Sequence, residues 1–419
     1  MLSTTFPLDT IIYREGARAF LDGLPVYSKP MYAGSIALPF IYPPFGALVL
    51  SPLALASWLP DDAAGNFVIG LSAALLLPCM WFVLRAAAGG RLTRRELVAG
   101  TAVAWALGVS SEPVRLNAMY GQINIAIMAL VVLDLVPRRR WLPQGSLIGI
   151  AAAIKITPLA MLLYFLLRRD VRAIVAAGVS CASATLLAAL VRWDATVEYF
   201  GGTLLGMGTT SRFGVDTTYQ SNSSLKSMVM RFYGSADSLE AHALESNLIW
   251  FTLALATIGL GAWLMVACIR RGLLVDATLV NAVVMLLISP VSWSHHWVWL
   301  ALILPVAWLR CATVLRWPVG LTAVMALYTL AVVTYPPKWW FGEKIPVHNI
   351  ALWEKFLVSD YVWLSFALLA ALAVALRRVP RLGEGVDAGS EPPQERRGDD
   401  AEDSEDPRGR ARAASPAAS

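Results

Sequence analysis

Phe67-Val-Ile-Gly-Leu-Ser-Ala-Ala-Leu-Leu-Leu-Pro-Cys-Met-Trp-Phe-Val-Leu84, followed closely by Arg91-Leu-Thr-Arg94-Arg95, is the stretch that decides the fold. An uncharged run of this length approaches the roughly 20 apolar residues that a helix needs to cross a hydrocarbon core. The basic cluster behind it marks that end as cytoplasmic, because Lys and Arg accumulate on the inner side of membranes. Residues 1–64 are therefore expected outside, and every later segment takes its side from this one.

Working outward, comparable runs occupy Gly145 to Leu167, Ile174 to Val191, Leu248 to Ile269, Val319 to Tyr335 and Val362 to Leu376. Shorter ones cover Leu97 to Val109, Ile123 to Val136, Thr278 to Ser289 and Trp297 to Trp308. The expected fold is an all-α polytopic membrane bundle of about 9–11 spanning or half-spanning helices. Composition agrees, since 57% of the 419 residues are apolar and only 15% are charged. A net charge of +5 would suit nucleic acid, but the basic residues gather at helix ends, as in Arg138-Arg139-Arg140, Arg168-Arg169 and Arg270-Arg271. That is the positive-inside pattern, so the bilayer and not nucleic acid is the expected partner.

Residues 1–64 read as an external loop region with two amphipathic or interfacial helices. The first runs from Leu8 to Leu21, and the second from Phe45 to Trp58, started by Pro43-Pro44. No cleavable signal peptide and no spanning segment appear in the first forty residues. Residues 65–378 form the bundle, with an external loop from Arg192 to Asn247, and the charged, Pro/Gly/Ala/Ser-rich residues 379–419 read as a disordered cytoplasmic tail. Gly145 to Leu167 has basic residues at both ends, which one simple span does not allow. A pair of half-helices broken at Lys155-Ile-Thr-Pro158 resolves the conflict, because proline removes a backbone donor and lysine needs a wet cavity. Cys79, Cys181, Cys268 and Cys311 lie in or beside apolar runs without metal-type spacing and read as packing residues.

Four polar clusters then face one side: Asp9 with Glu15; Glu112, Arg115, Gln122 and Asn124; Gln220, Asn222 and Lys226; and Pro290-Val-Ser-Trp-Ser-His-His-Trp297. A transporter instead places its polar groups near the midplane between repeated halves, and no convincing repeat is present. Adjacent helical residues point about 100° apart, so at least one of His295 and His296 should line a polar interior, although an aromatic interfacial belt also accounts for the stretch. No metal site is expected there, for want of a third local ligand. Lys155, the lysine deep in an apolar run, points to an anionic group, with snorkelling as the alternative. Arg115 admits an i, i+3 ion pair with Glu112, and Gln122 and Asn124 admit helix capping. Read alone, Asp9 fits the N-cap of its helix better than a catalyst.

Seven motifs in order carry a resemblance: Asp9-Thr-Ile-Ile-Tyr13, Leu21-Asp-Gly-Leu-Pro-Val-Tyr27, Phe40-Ile-Tyr-Pro-Pro-Phe45, Gly121-Gln-Ile-Asn124, Lys155-Ile-Thr-Pro158, Ser221-Asn-Ser-Ser-Leu225 and Ser289-Pro-Val-Ser-Trp-Ser-His-His296. Over residues 8–310 the chain resembles glycosyltransferase family 87, the polyprenol-phosphate-mannose-dependent alpha-(1,2)-mannosyltransferases of actinobacterial envelope lipids. The resemblance implies the multi-spanning C-type glycosyltransferase fold, whose first external loop carries an acidic active-site residue, and Asp9 matches that position. Two features depart from the family pattern: a spanning helix that precedes this loop in family members, and Ser-Asn-Ser-Ser-Leu where Asn-Gln-Ser is more usual.

The resemblance further implies a plasma-membrane enzyme that uses a polyprenyl-phosphate sugar donor and a glycolipid or lipoglycan acceptor on the external face, with no cofactor. Asp9 is the expected general base. Arg115, Lys155 and one of His295 or His296 are expected at the leaving phosphate, and Tyr42 and Trp293 at sugar rings. Gln122, Asn124 and Asn222 complete the expected substrate-binding set. The alternatives are an arabinofuranosyltransferase using decaprenyl-phosphoarabinose and a membrane transporter.

Overall fold

In the computed structural model, which describes residues 3–137, 140–206 and 215–381, helix α1 (Leu8–Leu21) buries Ile12, Tyr13, Ala17 and Phe20 on one face. Its N-cap is Pro7 and has no side-chain cap, so Asp9 lies inside the first turn instead of capping it. Between the two expected helices lies a hairpin of β1 (Met31–Ala33) and β2 (Ile36–Leu38), with Tyr32 opposite Ala37. Helix α2 (Pro44–Leu55) starts with proline at a position where no N–H is needed, and it ends three residues short of Trp58.

The bundle begins with α3 (Asp61–Ala88). A capping box of Thr93 and Glu96 then opens α4 (Arg94–Ser110). The polar stretch after Val109, which carries Glu112 and Arg115, forms a further helix, α5 (Glu112–Tyr120), bent 61° from α4. Next come α6 (Asn124–Leu135) and α7 (Ser146–Ile154). The expected break is present: Lys155 is extended (φ −147°, ψ 124°), and a 3₁₀ turn at Thr157–Met161 leads into α8 (Leu162–Leu167).

Helix α9 (Val171–Val191) lies close against α7 at Gly149, where a Cβ would sit 2.2 Å from both Ala177 O and Ser180 Oγ. Such close backbone approach is how membrane helices gain packing without a hydrophobic driving force. The opposite side of α9 is lipid-like, with Val179, Leu186 and Leu190 exposed. Short helices α10 (Trp193–Glu198), α11 (Leu225–Arg231) and α12 (Ala236–Ala241) occupy the expected 192–247 loop.

Helices α13 (Ala243–Ile269) and α14 (Leu274–Ile288) pack together, and α14 is buried on every side. A 3₁₀ segment, Ser294–Trp299, runs into α15 (Leu300–Arg310). The bundle is completed by α16 (Val319–Val333), α17 (Leu352–Val358) and α18 (Asp360–Leu376), the last two bent by 71°. Among the described residues, four helical segments are long and apolar enough to cross a membrane, or six if each bent pair counts as one span, and five shorter apolar helices accompany them. The chain is an all-α membrane helix bundle, with one main core running through α3, α6, α14, α15 and α18. Cys79, Cys181, Cys268 and Cys311 are free. Arg138, Arg139 and nearly all of the expected tail, residues 382–419, lie outside the described residues.

Candidate active site

Five interruptions of helix meet in one place. They are the first turn of α1, the strand end before α2, the α5–α6 turn, the Lys155 break and the 3₁₀ segment before α15. Interrupted backbone inside a membrane protein survives only where protein or a wet cavity satisfies its polar groups. At the α5–α6 turn, Gly121 adopts φ +65° and its carbonyl accepts from Thr10 Oγ1 at 2.8 Å, which fastens the turn to α1 beside Asp9.

From that turn Gln122 Oε1 accepts from Tyr13 OH at 2.5 Å and from Tyr42 OH at 3.3 Å, and the two phenols are 2.8 Å apart. Burial pushes both phenols up from their ordinary value, so they stay protonated. Asn124 Nδ2 donates to Asn117 Oδ1 and to the His295 carbonyl, each at 3.1 Å, and its Oδ1 accepts from Lys155 Nζ at 2.7 Å. The same ammonium is 3.2 Å from His296 Nε2 and 5.4 Å from the centre of the Tyr42 ring. Gln122 and Asn124 thus tie four segments together; the cap of α6 falls on Ile123, without a side-chain bond.

Asp9 lies next to this network, with its carboxyl beside the Gln122 side chain and within reach of the Lys155 charge. It is only half-buried by surface area, yet its surroundings are crowded enough to push its pKa up to about 6. Burial is the main cause, offset in part by Gln122 and Lys155. A carboxylate poised there is matched to accepting a proton near neutral pH. Next to it, a cavity of about 30 Å³, room for about two waters, is polar at Asn124, Lys155, Ser292 and His296 and apolar at Ile127, Val131, Met285 and Leu286. Fixed positive charge at one end and an apolar wall at the other suit an anionic headgroup on a hydrocarbon chain.

Of the expected residues, Asp9, Tyr42, Gln122, Asn124, Lys155, His295 and His296 come together. His295 is buried with its ring 5.3 Å from Tyr120 and 4.8 Å from His296, and neither ring nitrogen has a partner among the described residues. Trp293 is half-buried, 6.4 Å from the ring of Tyr219. Asn222 directs its side chain to protein, donating to Thr217 O and accepting from Ser292 N, both at 2.8 Å. Arg115 is exposed and donates to Thr334 O at 3.2 Å, outside the network. Its expected partner Glu112 accepts instead from Trp339 Nε1 and Tyr361 OH, each at 2.7 Å.

Sequence reading missed Tyr13, Asn117 and Ser292. Tyr13 follows Asp9 by four residues, which on a helix is the same face, so that signal was available.

A model of glycosyltransferase family 87 matches residues 40–290. The polyprenol-phosphate-mannose-dependent alpha-(1-2)-phosphatidylinositol mannoside mannosyltransferase of Mycobacterium tuberculosis is 33% identical over 404 residues, 90% of this chain and 87% of the relative. Its namesake from Mycolicibacterium smegmatis is 31% identical, over 88% and 84% of the two chains. Among solved structures, ArnT from Cupriavidus metallidurans bound to undecaprenyl phosphate aligns with 90% of this chain and 73% of its own, at 14% identity and a TM-score of 0.41.

Proposed function

Since the chain belongs to glycosyltransferase family 87, we propose that this membrane glycosyltransferase moves a mannosyl residue from a polyprenyl-phosphate donor to a glycolipid acceptor, forming an alpha-(1,2) bond with inversion. The acceptor hydroxyl oxygen attacks the anomeric carbon while Asp9 takes its proton. The bond from that carbon to the phosphate oxygen breaks, and polyprenyl phosphate leaves with the electron pair. Lys155 supplies fixed positive charge to the leaving phosphate, and His296 supplies a polar contact beside it. Tyr13, Tyr42 and Gln122 orient the groups around Asp9, and the apolar side of the cavity receives the first units of the donor chain.

The observation that carries this reading is the network that brings Asp9 and Gln122 beside Lys155, which with His296 and Asn124 lines a cavity of mixed polar and apolar walls. The relatives' names support mannose and a polyprenyl phosphate donor. In this reading residues 1–64 cover the external end of the bundle at residues 65–378 and the tail is cytoplasmic in the plasma membrane. Support for that sidedness comes from Arg91, Arg94 and Arg95 at the α3–α4 turn, the opposite end of α3 from α1.

The test is transfer of labelled mannose from polyprenyl-phosphomannose to lipids in membranes containing the chain. Asp9→Asn is expected to insert normally and to lose transfer by about 10³-fold or more. Transfer retained by that variant removes Asp9 from the role of base, and transfer only from a phosphoarabinose donor replaces mannose by arabinose.

A further inference from the structure

A fully buried charged group that the mechanism leaves unused lies on the other side of the histidine segment. Lys338 has no exposed surface, yet its Nζ donates to Ser223 Oγ at 2.8 Å and to Ser294 Oγ at 3.1 Å, and lies 3.1 Å from Asp360 Oδ1. It also sits 3.2 Å from the centre of the Tyr361 ring. The two serines belong to segments already zipped together: Ser294 N donates to Ser221 O at 2.7 Å, Ser223 N to Ser292 O at 2.8 Å, and Ser292 N to Asn222 Oδ1 at 2.8 Å. Arg231, also fully buried, holds the same loop by donating to Thr218 O, Tyr219 O and Asn222 O, and reaches Ser359 Oγ.

We propose that Lys338 is a positioning residue for the transfer reaction, clamping Ser223 to Ser294 so that His295 and His296, which follow Ser294 directly, stay registered on Lys155 and Asn124. The assignment rests on the proposed role of the Asp9–Lys155–His296 site. Buried ion pairs are poor stabilisers: replacing one with neutral groups of similar volume is often neutral or stabilising, whereas removing a single partner is costly. A lysine retained at zero exposure and shared among three side chains from distant parts of the chain is therefore explained by geometry it fixes. The geometry in question is that of the 3₁₀ segment, whose i→i+3 hydrogen bonds are less well aligned than those of an α-helix.

Two variants separate positioning from plain stability. Lys338→Met/Asp360→Asn removes both charges and keeps an acceptor for one of the two amides, those of Lys338 and Tyr361, that Asp360 now satisfies. Ser294→Ala leaves the ion pair whole and removes one handle of the clamp. In purified full-length protein, both are expected to keep their thermal midpoint within a few degrees and the donor KM within about 2-fold, while kcat falls about 10-fold or more. Backbone hydrogen exchange should quicken in residues 289–299 and not across the bundle. Unchanged kcat in a stable variant overturns the proposal, as does a loss of kcat that follows the thermal midpoint with exchange rising everywhere. The exchange readout needs no donor, so a wild-type chain that proves to transfer another sugar changes the assay for kcat and leaves this result to stand or fall by itself.

Discussion

Gly121 is where helix α1, which carries the proposed base Asp9, is fastened to the rest of the site, and replacing it with alanine gives a sharp test. A Cβ built there lies 2.2 Å from Thr10 Oγ1 and 3.1 Å from Pro7 Cβ, whereas tolerable contact begins near 3.4 Å. Thr10 is fully buried, so α1 must retreat by about 1 Å, and Asp9, its neighbour, moves with it away from Gln122. Alanine at φ +65° adds about 1–2 kcal/mol of backbone strain. Loss of the Thr10–Gly121 bond costs about 1 kcal/mol more. A displacement of that size at a reacting group costs about 10²-fold in rate. The assay is kcat for mannosyl transfer with inserted protein quantified by immunoblot. Gly121→Ala/Thr10→Ala keeps the strain and the lost bond but removes the 2.2 Å clash, leaving Cβ contacts of 3.1 Å to Pro7 and 3.2 Å to residue 10. That double variant is expected to recover at least about 10-fold over Gly121→Ala. Equal kcat in the two, or a wild-type rate in Gly121→Ala, refutes the argument that α1 is held in catalytic register by this contact.

The Asp9 carboxyl, pushed up to about 6, gives transfer an acidic limb. As pH falls below that value the proposed base is protonated and the rate drops about tenfold per unit. Lys155→Gln removes a charge that holds the carboxyl down, so the residual activity of that variant should show its limb at higher pH; an unmoved limb separates the two groups. Elsewhere, Arg310 donates to Asp276 through Nε and Nη2, at 2.9 and 2.6 Å to Oδ2, and to Ala87 O through Nη1 at 2.6 Å. Arg310→Met leaves a buried carboxylate alone and is expected to cost about 3–5 kcal/mol, seen as a lower thermal midpoint in detergent, most of it regained in Arg310→Met/Asp276→Asn. A double variant no better than the single one contradicts that accounting.

Much of the bundle could be read from the sequence because the long apolar runs have no other solvent that suits them. Lys155 announced itself for the same reason in reverse, and the break beside it followed from Pro158. Helix α5 escaped notice because Glu112, Arg115 and Asn117 make it polar, and its burial comes from contact with the 3₁₀ segment, far along the chain. The N-cap reading of Asp9 fails because the cap position falls on Pro7, two residues earlier, a boundary that local composition did not fix. Lys338 was invisible for a third reason: its serine partners lie 44 and 115 residues away, so no local spacing could show that it is paired.

The pattern of motifs itself has a physical origin. In a membrane bundle each helix interruption frees backbone donors and acceptors that lipid cannot satisfy, so interruptions gather where their neighbours can satisfy them. Here Thr10 serves the Gly121 carbonyl, Asn117 the Gln122 carbonyl, Asn124 the His295 carbonyl and Asn222 the Ser292 amide. Asn124 is thus needed twice, once to close a break and once to face whatever enters the cavity that it lines. Lys155 is placed likewise: it sits at a break and is shared by Asn124 and His296. Asn124→Asp would keep an acceptor for Lys155 but lose the donor that serves the His295 carbonyl, and it would place a second negative charge near the proposed site of the leaving phosphate. Mannosyl transfer should therefore fall in that variant although the Thr10–Gly121 and Asn117–Gln122 bonds of the α5–α6 turn are kept.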